Sequence, residues 1–148
     1  MSMLTLPAGY TLSDDPARLQ PEAIHAYLTR SYWSPGIGRA LVERAIANSL
    51  CVAVYHHDAQ VAFARTITDR ATFAHLADVY VLEEHQGRGL ASAMLAYFDA
   101  HPDLQRLRRW NLNTLDAHTL YERHGWKRIN ETIMQRHDPD ASREASPA

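Results

Sequence analysis

Six residues, Gln86-Gly87-Arg88-Gly89-Leu90-Ala91, stand between the apolar run Val79-Tyr80-Val81-Leu82 and a segment of helical periodicity. A strand that turns through glycines straight into a helix builds an anion cradle. The first N–H groups of a helix have no internal partner, and the helix dipole adds partial positive charge there, so a phosphate can sit on the turn. Glycines at 87 and 89 let the backbone come close to such a ligand and tolerate positive φ. The chemistry suggested is recognition of a phosphorylated ligand. Two common phosphate loops are excluded by residue: no Lys follows the glycines as a P-loop requires, and Ser92 stands where a dinucleotide fingerprint needs its third glycine. The other reactive side chains say less. The nine His are scattered without metal-ligand spacing, so no metal is expected, and His56-His57 falls at a turn. Cys51, the only cysteine, lies in the apolar strand pattern Leu50-Cys51-Val52-Ala53-Val54 and reads as a buried structural thiol.

The six-residue loop fills every fixed position of the pattern Gln/Arg-x-x-Gly-x-Gly/Ala. It resembles the acyl-CoA pyrophosphate loop of the GNAT superfamily of N-acyltransferases. A second stretch, Leu120-Tyr121-Glu122 followed by Gly125-Trp126, resembles that family's helix carrying Leu-Tyr-Glu before Gly-Phe, with Trp126 in the Phe position. The family often has Asn seven residues before the Tyr, and this chain has Thr114 there. Further stretches, among them Ser31-Tyr32-Trp33, Phe63-Ala64-Arg65, Leu76-Ala77-Asp78-Val79 and Asp116-Ala117-His118, are similar to a bacterial GNAT subgroup assigned only as N-acetyltransferases.

The resemblance implies acetyl-CoA as co-substrate and a site divided between coenzyme and acceptor. The coenzyme would lie in a V between the fourth and fifth strands. Val79, Tyr80 and Val81 would give backbone contacts to pantetheine, and Gln86, Gly87, Arg88, Gly89, Leu90, Ala91 and Ser92 would hold the pyrophosphate. Arg88 would add a charge-assisted contact, its alternative being a solvated side chain. Thr114 and His118 complete the implied coenzyme set. Tyr121 matches the Tyr whose hydroxyl protonates the departing sulfur, a task suited to a phenol with a reference pKa of about 10; the alternative is a core aromatic. For the base, His75 falls where some members place Glu or His. Period two would put it on one face with Ala77, Val79 and Val81. Asp78 is its rival and would otherwise need a partner such as Arg65. Tyr32 and Trp33 would wall the acceptor side from the loop between the first two helices.

These residues need a frame, and the hydrophobic periodicity supplies one. A first strand is expected over 9–13, helices over about 16–30 and 38–48, and an antiparallel meander over 50–56, 61–68 and 73–81. A helix over about 89–100 then leads to a parallel strand over 107–112 and a short helix bearing Tyr121, with a Gly125 stop. Strands over Trp126–Ile129 and Thr132–Arg136 would pair around Asn130-Glu131. This order matches the GNAT fold: an α/β (α+β) domain with a mixed, mostly antiparallel sheet of six to seven strands, about four helices and the V-shaped splay. The domain is expected to span 1–136, leaving a disordered tail at 137–148.

Composition sets the outer limits. With 148 residues, 46% hydrophobic and 22% charged, the chain has the balance of one soluble globular domain. A net charge of −2 argues against a nucleic-acid footprint. No apolar run approaches the roughly 20 residues that span a bilayer, and no signal peptide is evident, so a cytoplasmic location without membrane contact is expected. The leading expectation is an acetyl-CoA-dependent N-acetyltransferase acting directly on a primary amine of a small molecule or amino acid, as a monomer or homodimer. Acetylation of a protein N-terminus or lysine, and a catalytically silent acyl-CoA sensor, stand as alternatives.

Overall fold

A computed structural model describes residues 5–129, 133–141 and 143. Five strands form one sheet in chain order: β1 (Tyr10–Ser13), β2 (Leu50–His56), β3 (Ala59–Thr68), β4 (Phe73–Val81) and β5 (Arg109–Leu112). Neighbours are antiparallel except β4 and β5, which run parallel across the helix that joins them. Short turns enforce the meander. His56 pairs with Ala59, leaving only His57 and Asp58 to turn, and His57 takes the left-handed φ of 54°. Between β3 and β4 the Asp69 carboxylate accepts from the N–H groups of Ala71, Thr72 and Phe73 and from the Thr72 hydroxyl, which holds its carboxyl well below the usual range.

The run from Cys51 to Tyr55 is buried throughout, because helices cover both faces of the sheet. On one face Val52, Val54, Ala62, Ala64 and Leu76 pack under Leu90, Met94 and Phe98 of α3 (Leu90–Ala100). On the other, Ala53, Tyr55, Phe63 and Tyr80 meet Ile24 and Leu28 of α1 (Pro21–Leu28) and Val42 of α2 (Arg39–Ala47). The fully buried Phe98 is the largest anchor from α3, and truncating such a side chain costs about 3–5 kcal/mol. No helix among the described residues is long and apolar enough to cross a membrane.

The structure departs from expectation in three places. The first helical segment, expected over 16–30, divides into a single 3-10 turn at Pro16–Arg18 and α1. Pro21 has no N–H to continue a helix, and it holds Gln20 out of helical geometry at φ −109°, ψ 89°. The sheet has five described strands, not six or seven, and neither 126–129 nor 133–136 is a strand. The proposed turn residues Asn130 and Glu131, with Thr132, lie outside the described residues. Trp126 is drawn back onto the short helix α4 (His118–Arg123): its N–H reaches Tyr121 O, and Gly125 N–H, at φ 88°, reaches Glu122 O. That is a Schellman exit, and it lays the Trp126 ring edge-on to Tyr121 at 6.1 Å. Within the terminal segment expected to be disordered, Arg143 makes an isolated antiparallel bridge to Ile37.

The third departure concerns β4. Arg65 stands opposite Ala77 and Phe63 opposite Tyr80, so Asp78 and Val79 together face the single residue Ala64. At this bulge Asp78 adopts φ 55°, and the strand's faces exchange. Leu76 packs with the α3 core, yet so do Val79 and Val81, while Tyr80 packs with the α1 and α2 core. His75 and Ala77, opposite Ile67 and Arg65, therefore do not share a face with Val79 and Val81 as period two predicts.

Candidate active site

Pairing between β4 and β5 runs only from Phe73 with Arg109 to Leu76 with Leu112. Beyond that point β4 continues to Val81 without β5, which opens the V. Leu82 N–H donates to Val61 O, so by alternation Val79 and Val81 direct their backbone groups to the open side. The Gln86 amide already uses one of them, donating from Nε2 to Val81 O at 3.1 Å. An extended ligand with amide groups could add to this edge as a partial strand.

The open edge leads into a cleft of about 630 Å³ lined by Val79, Tyr80, Val81, Gln86, Gly87, Gly89, Leu90, Ala91, Ser92 and Tyr121, among others. Gly87 and Gly89 have φ of 76° and 78°, and a Cβ at either would meet no protein atom within 4 Å. The glycines serve left-handed backbone and leave the space above the loop free for a ligand. Gly89 caps α3 and accepts from Ala93 N–H, leaving the first-turn N–H groups of the helix available to an anion. Ser92 Oγ lies 3.0 Å from His124 Nε2. Arg88 does not line the cleft; its guanidinium sits 5.9 Å from the Tyr10 ring centre. Arg123 lines it instead, a cation that the motif did not mark.

Tyr121 lies at the meeting point of this cleft and two neighbouring cavities, of about 260 and 570 Å³. Its helix starts where Thr114 Oγ1 accepts from Ala117 N–H at 3.0 Å. The phenol is buried, and burial first, with Tyr32 and Asp116 adding to it, pushes its pKa up to about 12. It is a held proton at neutral pH. Thr114 and His118 line the 570 Å³ cavity, and neither reaches the cleft above the loop.

The 260 Å³ cavity brings together Tyr32, Trp33, His75, Asp78, Asp116 and Tyr121. Asp78 meets the expected partner: Arg65 Nε donates to Oδ2 at 2.7 Å, and Arg65 Nη1 continues to Ser49 Oγ at 3.1 Å. Trp33 Nε1 donates to Asp78 Oδ1 at 3.0 Å, so the bulge also holds the loop between α1 and α2. The adjacent Tyr32 ties the same part of the loop elsewhere, its hydroxyl accepting from Leu115 N–H at 3.1 Å. Burial, and then Arg65, lower the pKa of His75, which keeps the imidazole neutral and able to accept a proton. Burial raises the Cys51 thiol to about 12, which fits a structural role. Sequence reasoning missed the stack of Tyr27 on Tyr80, 4.0 Å apart and 7° from parallel, which floors the cleft. The helical spacing of Tyr27 gives only a core position.

Residues 47–128 match the model of the acetyltransferase (GNAT) domain. A protein of Gibberella zeae that carries the name of an acetyltransferase is 33% identical over 133 residues, covering 76% of this chain and 75% of that relative. The crystal structure of a GNAT-family protein from Xanthomonas campestris superposes with a TM-score of 0.88 at 44% identity, covering 93% of this chain and 99% of that one. A GNAT-family acetyltransferase from Elizabethkingia anophelis with acetyl-CoA bound shares the fold, with a TM-score of 0.62 at 12% identity over 84% of this chain and 80% of its own. With most of its sheet and the loop at residues 86–92 inside the matched span, the chain belongs to the GNAT superfamily of acetyltransferases.

Proposed function

We propose that the protein is an acetyl-CoA-dependent N-acetyltransferase acting by direct transfer on a primary amine of a small molecule. The observation that carries this reading is the position of Tyr121, a protonated phenol bordering both the glycine-loop cleft and the cavity of Tyr32, Trp33 and His75. The residues present fit the coenzyme. The helix N-terminus and the Cβ-free space over Gly87 and Gly89 suit a pyrophosphate, and the open edge at Val79 and Val81 suits a chain of amides. The coenzyme supplies an acetyl group activated as a thioester. Tyr121 Oη holds the proton that a leaving sulfur needs, and burial keeps it there across the neutral range. On the acceptor side His75, neutral at physiological pH, can take the proton that an attacking amine sheds, with bulk water as the alternative sink. The Asp78–Arg65 pair fixes the bulge that turns β4 toward the cleft, and through Trp33 it holds one wall of the acceptor cavity. Asp78 thus serves in positioning, and the base role falls to His75.

The test is thiol release from acetyl-CoA over a panel of amines. Saturable release with at least one amine upholds the transferase. Tight coenzyme binding with no release from any amine would favour the sensor.

A further inference from the structure

The charge of the acceptor cavity is one-sided. It is lined by two carboxylates, Asp78 and Asp116, and among the described residues no Arg or Lys lines it. His75 is held neutral by burial and by Arg65. Asp78 is already balanced by Arg65 at 2.7 Å. Asp116 is different: it is exposed, borders both the cavity and the cleft, and has no hydrogen-bonding or ionic partner among the described residues. It lies close enough to the Tyr27 and Tyr121 phenols to raise both. The two cations of the cleft do not offset it. Arg123 lines only the cleft, and Arg30 is engaged bidentately by Glu83 at 2.7 and 3.1 Å. Beside Asp116 stand Tyr32 and Trp33, which remain 49% and 38% exposed and meet edge to face at 5.0 Å. Aromatic faces beside an unpaired carboxylate are a receptor for an alkylammonium.

The attacking nitrogen cannot be the cation in question, because a carboxylate at its side would stabilise the protonated, non-nucleophilic form. An acceptor with a carboxylate or phosphate would find no counter-charge in this cavity. Resting on the transferase reading above, we infer that the acceptor is a diamine or polyamine with no acidic group, whose second ammonium is held by Asp116 against Tyr32 and Trp33 while its first amine faces Tyr121.

The test uses the full chain with three probes of equal chain length: an α,ω-diaminoalkane, the corresponding monoamine and the corresponding ω-amino acid. Each is titrated calorimetrically into CoA-saturated protein and, separately, assayed for thiol release with acetyl-CoA. The diamine is expected to bind roughly tenfold more tightly than either analogue, and Asp116→Asn to bring the ratio of diamine to monoamine affinity close to one. Equal binding of diamine and monoamine, preference for the amino acid, or an unchanged ratio in Asp116→Asn would overturn the inference. Diamine preference without thiol release would leave Asp116 as an ammonium site but overturn the diamine as acceptor, together with the transferase reading. Thiol release from the other amines without diamine preference would overturn the inference while upholding the transferase reading.

Discussion

Along residues 79–92 the contacts offered to a ligand come from main chain: the free edge of one strand, glycines in left-handed geometry and helix N–H groups. At Tyr32, Trp33, His75, Asp78 and Asp116 they come from side chains on three separate segments, the loop after α1, β4 and the turn before α4. The half proposed for the coenzyme is thus one short continuous piece, whereas the half proposed for the acceptor exists only after the sheet has formed and the loop has been tied to Asp78 and Leu115. A backbone-made site depends on which residues permit a conformation. A side-chain-made site depends on which charges and rings happen to meet. Substitutions should therefore act differently in the two halves.

The largest effect is expected from Gly89→Glu, which forces a side chain into φ 78° and places like charge where the loop would meet phosphate. Acetyl-CoA affinity should fall by at least about 100-fold, read by calorimetry. Tyr121→Phe probes the seam between the halves. Losing the proton donor should lower kcat on the order of 100-fold while coenzyme affinity stays within about twofold; an undiminished kcat would remove Tyr121 from the chemistry. Asp78→Ala strands the mostly buried Arg65 and should cost about 3 kcal/mol of stability in denaturant unfolding. Asp78→Gly should cost about 1 kcal/mol less, because glycine accepts φ 55° without strain. Equal losses would mean that the bulge carries no backbone strain. The smallest effect belongs to Arg88→Ala: this side chain lies over Tyr10 and away from the cleft, so coenzyme affinity should change by no more than about twofold.

The same contrast explains what could be read from the chain. Gly87, Gly89 and the Gly125 stop were legible because only glycine suits their backbone, and the structure gives all three positive φ. The meander and the long α3 followed from periodicity that long-range packing does not override. The bulge at Asp78 was not legible. It inserts one residue into an unbroken apolar pattern, and only pairing with β3 reveals that His75 and Val79 lie on opposite faces. For Arg88 the motif suggests a phosphate contact or a solvated side chain, and in the structure its guanidinium lies 5.9 Å from the Tyr10 ring centre, outside the cleft lining. Asp116 and Arg123 gave no signal as charges near a helix, since their meaning comes from the cavities they border. Trp126 starts no strand because Gly125 returns it to Tyr121.

Every role proposed for the cleft depends on the loop after β4 as the coenzyme's anchor. The most direct measurement is calorimetric titration of acetyl-CoA into the wild-type protein and the Gly89→Glu variant under one set of conditions. Saturable single-site binding to the wild type, lost in the variant, is the predicted result. Absence of binding to the wild type, or equal affinity in both, would contradict the assignment of residues 86–92 and with it the division of the cleft.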